Sequence, residues 1–177
     1  YNKKRGIYVE CGGNNGRDFD PTYYLEKIMK RNGIIVEPLP IYKECSRIRN
    51  NSKVYNYALV SNDFSKKHIT IMDCNMMTIV KGVNGYKKWL KSGEKVQKIK
   101  TKEIIVPAIT LNKILDRYFS SNKTKKIDLL VIDAELYEIN VLKGFDLNKY
   151  KPKMILIEIQ GQERKKIVDN YLGLKYK

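Results

Sequence analysis

Four acidic residues each stand at the end of a short apolar run of this chain. Glu10 closes GIYVE and Glu37 closes GIIVE, while Asp133 and Glu158 close IDLLVID and MILIE. Such runs are typical of strands that a parallel sheet buries on both faces, and the carboxyl ends of those strands meet at one edge. Carboxylates at that edge can accept ribose hydroxyls or take a proton from a reacting group. The spacing therefore predicts a site for a polar ligand there.

Glycines follow Glu10 in the stretch CGGNNG. Glycine allows close approaches that a Cβ would block, and a strand-to-helix turn of this kind can cradle a polar ligand. The G-x-G-x-x-G fingerprint of dinucleotide sites is incomplete, because Cys11 stands where its first glycine is required. The acidic-x-Gly-x-x-x-Gly pattern of Glu10, Gly12 and Gly16 instead matches the loop of S-adenosylmethionine sites. An ordinary turn that binds nothing is the alternative; Glu37, at the position of a ribose contact, favours the cofactor.

Strands and helices that alternate along the chain must position these residues. Apolar spacing and β-branched content predict strands at about 6–11, 34–37, 54–60, 68–73, 103–107, 127–133 and 154–158. Helices are predicted at about 21–31, 42–49, 110–119, 135–143 and 162–171, with a polar loop at 120–126. This order predicts an α/β fold with a mostly parallel central sheet, in one domain over residues 1–177.

The segment 75–102 interrupts this alternation. It holds three glycines, Trp89 and eight lysines, with Glu94 as its one acid. Long irregular segments inside a domain are often functional loops. We expect a mobile basic loop inserted beside the site, and a solvated insertion without a role is the alternative.

The chain carries a large excess of positive charge. Its 177 residues include 35 Lys+Arg against 19 Asp+Glu, a formal net charge of +16. Such a field attracts nucleic acid, anionic membranes or phosphate-bearing substrates. Arginine, which nucleic-acid readers use for bidentate contacts, is scarce beside lysine. We therefore expect mostly solvated lysine, with electrostatic steering as a minor contribution.

Composition also limits the kinds of site and location. The cysteines Cys11, Cys45 and Cys74 form no CxxC pair, so we expect neither structural zinc nor a disulfide framework, and a reducing compartment such as the cytoplasm fits best. His68 is the only histidine, which disfavours a histidine-rich metal site. No apolar run reaches the length of a transmembrane helix. A chain that starts at Tyr1 is expected to be part of a longer protein, so its targeting stays open.

A series of motifs resembles, in order, those of FkbM-type methyltransferases. They are GIYVECGGNNG, DPTYYLEK, GIIVEPLPIY, Arg49, NYAL, a helix that begins with Thr110 and Leu111, and IDLLVIDAELYEINVLKGFD. The resemblance runs from about Tyr8 to Glu158. It implies a class I, Rossmann-like, three-layer methyltransferase that uses S-adenosylmethionine, with a hydroxyl of a sugar, glycan or small metabolite as the methyl acceptor.

The resemblance also implies roles for particular residues. Those that would contact the cofactor are Glu10, Gly12, Gly13, Asn15, Gly16, Glu37, Pro38, Asn56, Ala58 and Asp133. Asp133 and Glu135 would face the reaction as candidate catalytic residues. Apart from the resemblance, Glu158 at its strand end is a further candidate base, and His68 is a lesser one. Asp133 and Glu135 are the candidate ligands if a divalent ion such as Mg²⁺ takes part. Leu136 departs from the glycine that the family generally has there, which would reshape the acceptor pocket.

Two other functions stay open at this point. A nucleic-acid ribose 2′-O- or RNA cap methyltransferase would fit the positive charge, with Asp133 and Glu158 as its acids and Lys143 or Lys149 between them. A methyltransferase-like module without activity would bind an anionic partner through its basic loop. The glycine loop and the acidic strand ends disfavour the module, and the separation of only 25 residues between Asp133 and Glu158 disfavours the nucleic-acid enzyme.

Overall fold

The structure of the protein, a computed structural model, describes residues 6–120, 126–173 and 176. The polar loop predicted at 120–126 therefore lies largely outside the described residues. Within these ranges the strands are β1 (Ile7–Cys11), β2 (Asn32–Val36), β3 (Ser52–Tyr55), β4 (Ala58–Leu59), β5 (His68–Asp73), β6 (Ile79–Val80), β7 (Lys102–Ile109), β8 (Leu129–Ile132) and β9 (Met154–Ile157). The helices are α1 (Tyr23–Lys27), α2 (Tyr42–Ile48), α3 (Tyr86–Gln97), α4 (Leu111–Tyr118), α5 (Glu138–Lys143), α6 (Leu147–Tyr150) and α7 (Gln162–Leu172), with a 3₁₀ turn at Asn75–Met77.

The central sheet has five strands in the order β3-β2-β1-β8-β9, and each neighbouring pair is parallel. The middle strands β1, β2 and β8 are almost entirely buried, as their apolar sequences predict. Cys11 pairs with both Val36 and Ile132, so the carboxyl ends of these three strands lie level. The predicted α/β fold with a mostly parallel, Rossmann-like central sheet is confirmed.

A smaller sheet has four strands in the order β4-β7-β5-β6. β4 is parallel to β7, whereas β5 is antiparallel to both β7 and β6. The sequence predicts one strand over 54–60, but the chain leaves the central sheet before Asn56 and joins the smaller sheet at Ala58. The Asn56 amide stabilises this crossing, because it donates to the carbonyls of Glu37 and Pro38 at 3.0 and 2.8 Å.

The basic segment 75–102 is more regular than the sequence indicates. It contains the 3₁₀ turn, β6 and the 12-residue helix α3, so the prediction of an irregular loop is wrong. Gly93 is buried within α3, where a Cβ would lie only 2.8 Å from the Cys74 sulfur. Gly93, which suggests a loop in the sequence, therefore allows α3 to pack closely against Cys74. That residues 1–177 form a single domain stays a prediction.

The main apolar core lies between the central sheet and helices α4, α5 and α7. In α4 the side chains of Leu111, Ile114 and Leu115 are fully buried, and each contributes about 1.5–3 kcal/mol by leaving water. Thr110 caps this helix, since its hydroxyl accepts the Lys113 N–H at 3.4 Å. Of the helices in the described ranges, none combines the length and the apolar character that crossing a bilayer requires.

Candidate functional site

A cavity of about 420 Å³ opens at the carboxyl ends of β1, β2 and β8. Sites for small ligands typically have volumes of about 300–1,000 Å³. Backbone hydrogen bonds continue past the strands here, with Gly12 N donating to Val36 O at 2.9 Å and Asp133 N to Cys11 O at 3.0 Å. This is the edge at which open α/β sheets bind their ligands.

The charged residues that line this cavity are acidic. The acids are Glu10, Asp18, Asp20, Glu37, Asp133, Glu135 and Glu158. Among the lining residues that the structure describes there is no lysine, arginine or histidine. In a chain with a net charge of +16 this is a local reversal of sign, and it favours a cationic ligand over a phosphate.

Glu10, near the end of β1, is almost completely buried at the cavity wall. The Thr22 hydroxyl donates to it at 2.7 Å, and the Arg49 guanidinium lies 3.7 Å away. Burial, followed by repulsion from Asp20, raises the pKa of Glu10 to about 8. The carboxyl therefore holds a proton at neutral pH although Arg49 lies nearby, and a further positive charge in the cavity would favour the ionised form.

Glu37, directly after β2, is held in place by the backbone. Its two carboxylate oxygens accept the N–H groups of Asn14 and Leu39, both at 2.8 Å. Burial raises the pKa of Glu37 to about 7 although these hydrogen bonds oppose the rise. Each oxygen keeps a second lone pair, which a hydroxyl of a bound ligand can use.

Gly12 and Gly13 line the cavity, and contacts within the protein require both of them to be glycine. Gly12 has a φ of +94°, and a Cβ there would lie 2.0 Å from the backbone oxygen of Asp133. A Cβ on Gly13 would lie 2.2 Å from Ile35 Cγ2. The glycine loop therefore lets the ends of β1 and β8 approach closely enough for Glu10 and Asp133 to line one cavity.

Asp133, Glu135 and Glu158 form a compact acidic cluster. One carboxylate oxygen of each lies within 4.8 Å of those of the other two, a spacing that would also suit a divalent cation. Loss of hydration in the cavity, followed by a hydrogen bond with Glu158, raises the pKa of Asp133 to about 7. Burial, followed by repulsion from Asp133, raises the pKa of Glu135 to about 8. The cluster can therefore exchange protons near neutral pH.

The loop between β8 and α5 follows a strained backbone path. Glu135 and Leu136 have φ values of +48° and +70°, so α5 begins at Glu138 and not at residue 135 as the sequence predicts. A left-handed backbone costs a non-glycine residue about 1–2 kcal/mol. The Glu138 carboxylate stabilises this path, since it accepts the N–H groups of Ala134 and Leu136 at 3.2 and 3.0 Å. Glu138 thus supports the loop that carries Glu135 into the cavity.

Replacing Glu135 by glutamine should stabilise the protein at neutral and alkaline pH. Folding raises the pKa of Glu135 to about 8, above its unfolded value of about 4.3, so the free energy of unfolding falls as the pH rises through this interval. One carboxylate oxygen is also buried without a hydrogen-bond partner in the described residues. Because the side chain is partly exposed, we expect a gain of about 1–2 kcal/mol at about pH 8 and almost none at about pH 4.

Thermal unfolding in EDTA at the two pH values measures this gain. The matched variant E163Q removes an exposed carboxylate from α7 and should show no gain that depends on pH. Equal melting temperatures for E135Q and the unaltered protein at the higher pH would contradict charge repulsion in the cluster.

Most of the residues predicted to contact a cofactor line the cavity. They are Glu10, Gly12, Gly13, Glu37, Pro38, Ala58 and Asp133. Asn15, Gly16 and Asn56 are not among the lining residues. The Asn15 side chain instead organises the turn that follows it, and the Asn56 amide bonds to backbone carbonyls. All three carboxylates predicted to be catalytic line the cavity, and their roles stay predictions.

Several residues of the site could not be identified from the sequence alone. The smaller sheet and the 3₁₀ turn supply an apolar part of the wall through Ile71, Met76 and Ile79. Thr22 is completely buried, and its hydroxyl donates to Glu10. In the sequence, only its place in the segment Asp-Pro-Thr after the glycine loop indicates that it belongs to the site. The apolar wall depends on how the two sheets meet, which no local pattern reports.

The comparisons with known proteins agree with this geometry. A search of curated proteins and a search of solved structures return no match. A family model described as the methyltransferase FkbM domain matches residues 10–173. That range contains the glycine loop, the acidic strand ends and nearly the whole central sheet. The chain therefore belongs to the FkbM methyltransferase family.

Proposed function

We propose that this protein is an S-adenosylmethionine-dependent O-methyltransferase that acts on a hydroxyl of a sugar, glycan or small metabolite. Membership of a methyltransferase family implies in general the use of this cofactor, a nucleoside that carries a sulfonium and an ammonium group. The observation that carries the proposal is the acidic lining of the cavity at the carboxyl edge of the sheet. Carboxyls of this kind favour both cations because they can ionise beside a positive charge, whereas the pyrophosphate of a dinucleotide would meet no cationic side chain among the described lining residues.

The residues of the cavity fit the parts of this cofactor. Glu37 has lone pairs that can accept ribose hydroxyls, and Glu10 can ionise beside the ammonium group. Tyr57, Ala58 and Ile79 offer an apolar wall for the adenine ring. Glu10 and Glu37 line the same cavity, as a single binding site for the whole molecule requires.

We further propose that Asp133 accepts the proton of the acceptor hydroxyl. The bound cofactor supplies an electrophilic methyl group. When a hydroxyl of the acceptor takes up this methyl group, the carboxylate of Asp133 would accept the hydroxyl proton. A pKa of about 7 suits Asp133 to this task, because a base is most effective when its pKa lies near the working pH.

A divalent cation at the same carboxylates stays a prediction. Mg²⁺ bound to Asp133 and Glu135 would orient the acceptor hydroxyl and favour its loss of a proton. Turnover measured in EDTA separates the two modes of action. Full turnover in EDTA supports a carboxylate that acts alone, and recovery only on addition of Mg²⁺ supports the cation.

Calorimetric titration with S-adenosylmethionine tests the proposed function directly. We expect the unaltered protein to bind it and E37Q to raise the Kd by about 10- to 100-fold, because a hydrogen bond to a charged group contributes about 1.5–3 kcal/mol. The control E44Q alters an exposed carboxylate on α2 and should leave the Kd unchanged. Failure of the unaltered protein to bind the cofactor would reject the assignment and favour a module without activity.

Methylation of nucleic-acid ribose is the second candidate, favoured by the net charge and by the lysines of α3. The lysines of that helix are Lys87, Lys88, Lys91 and Lys95. Such enzymes place lysines among the acids around the ribose hydroxyl, yet no described residue that lines the cavity is a lysine. Lys149 is paired with Asp116 at 2.5 Å. Competition between RNA and simple glycosides as methyl acceptors separates the two candidates.

A further inference from the structure

A second cavity adjoins the acidic one and has the opposite charge. It is open to solvent and has a volume of about 620 Å³. Val80 and Tyr137 line both cavities, so the two share a wall. The residues of the second cavity that can carry charge are Lys66, His68, Lys81 and Arg164. None of its described lining residues is acidic, and we call it the basic cavity.

Arg164, in the first turn of α7, is held rigidly at this cavity. One terminal nitrogen donates to the Leu136 carbonyl at 3.0 Å, and the other donates to the Asn84 carbonyl at 2.8 Å. Leu136 belongs to the strained loop that also carries Glu135. A guanidinium has five N–H donors, so donors remain for a ligand after these two contacts. Because the group is already positioned, a bound anion would order little further.

The other basic residues of this cavity differ in their exposure and in whether they are paired with an acid. Lys66 and His68 are exposed, just before and at the start of β5. Lys81 is paired with Glu103 at 2.7 Å, which offsets part of its charge. The positive charge of the basic cavity therefore comes mainly from Arg164 and Lys66, and the exposed His68 ring adds a polar group that can bond to a ligand.

We propose that the basic cavity binds an anionic group, a phosphate or a carboxylate, that is carried by the methyl acceptor itself. This inference rests on the proposed function, because it places the anion in one cavity and the reacting hydroxyl of the same molecule in the other. Val80 and Tyr137 line both cavities, so one molecule that spans this shared wall would reach from the basic cavity into the acidic one. The acceptor class is then a sugar or similar polyol that bears a phosphate or carboxylate.

The arrangement of charge favours a small acceptor over a nucleic acid. A polyanion that reached the acidic cluster would have to place phosphates beside several carboxylates, which repel it. A small molecule with one anionic end and one neutral end meets a basic cavity and an acidic cavity in turn. The two fields therefore also fix its orientation.

Calorimetry on the full chain tests this inference with defined probes. The probes are glucose 6-phosphate and glucuronate, with methyl glucoside as the neutral reference. We expect at least one anionic sugar to bind about tenfold or more tightly than methyl glucoside, and K66E/H68Q to remove that advantage. The control K88E makes a similar change of charge on α3, outside both cavities, and should keep the advantage.

The outcomes are distinct from those that test the proposed function. Equal Kd values for the anionic and neutral sugars would overturn the inference. An equal weakening of anionic-sugar binding in K66E/H68Q and in K88E would overturn it as well. Tighter binding of an RNA oligonucleotide than of either sugar, weakened as much by K88E as by K66E/H68Q, would also overturn it. S-adenosylmethionine is titrated into the same variants. If these variants bind the cofactor normally but show no preference for anionic sugars, the inference is rejected and the proposed function is not.

Discussion

Replacing Asp133 by asparagine should lower kcat by about 100- to 10,000-fold while the protein stays folded, which is the range that general acid–base groups contribute. Asparagine has nearly the same shape, and the backbone bond from Asp133 N to Cys11 O at 3.0 Å is unaffected by the change. The amide cannot take a proton from an acceptor hydroxyl. Single-turnover measurements of methyl transfer, with the acceptor identified by the screen of anionic and neutral sugars, give the rate.

The dependence of the rate on pH distinguishes proton transfer from a purely structural role. With the pKa of Asp133 raised to about 7, kcat/KM should fall about tenfold for each pH unit below that value, because the protonated carboxyl cannot act as a base. The residual activity of D133N should lack this dependence. The control D169N alters an exposed carboxylate on α7 and should retain both rate and profile. Turnover of D133N close to that of the unaltered protein would remove Asp133 from the mechanism.

The ends of the central strands were predictable because their signals are local. Each of β1, β2 and β8 is a run of apolar residues, and the acidic residue near its end is visible in the sequence without knowledge of the fold. Parallel pairing then brings Glu10, Glu37 and Asp133 to one edge by geometry alone. The cavity that these three residues line follows from that arrangement.

The parts of the site that were missed depend on contacts between distant residues. Helix α3 packs closely through Gly93 against Cys74, a contact that the glycine and lysine content of the segment does not reveal. The path of the loop at Leu136 depends on Glu138 and on Arg164, which is 28 residues away. The basic cavity likewise joins residues from β5, β6 and α7. No periodicity within one segment carries this information.

Arg49 is named in the sequence only as part of the family resemblance, and what it does becomes clear only in the fold. It is completely buried at the end of α2. Its guanidinium donates to Glu26 at 3.0 Å and to the Tyr8 hydroxyl at 2.6 Å, and it forms an ion pair with Asp20. It also donates to the Gly16 carbonyl at 3.3 Å. One side chain thus ties β1, α1 and the glycine loop together behind the cavity.

Replacing Arg49 by methionine should lower the free energy of unfolding by about 3–5 kcal/mol, because it leaves buried carboxylates without their cation. In a domain of this size that loss corresponds to a fall of about 6–20 °C in the melting temperature. Lysine at this position should recover only part of the loss, since one ammonium group cannot span the same set of acceptors. The control R47M removes an exposed arginine from the same helix and should leave the melting temperature nearly unchanged.

The destabilisation by R49M should also depend on pH in a defined direction. Although burial opposes it, hydrogen bonds from Ser52, Tyr8 and Arg49, among others, lower the pKa of Glu26, so this carboxylate contributes stability that is lost as the pH falls. At low pH the buried carboxyls are protonated, so removing the Arg49 cation lowers the free energy of unfolding by a smaller amount. The difference in melting temperature between R49M and the unaltered protein should therefore shrink as the pH falls towards about 4. A difference that stays constant with pH would mean that Arg49 stabilises the glycine loop through packing and neutral hydrogen bonds and not through its charge.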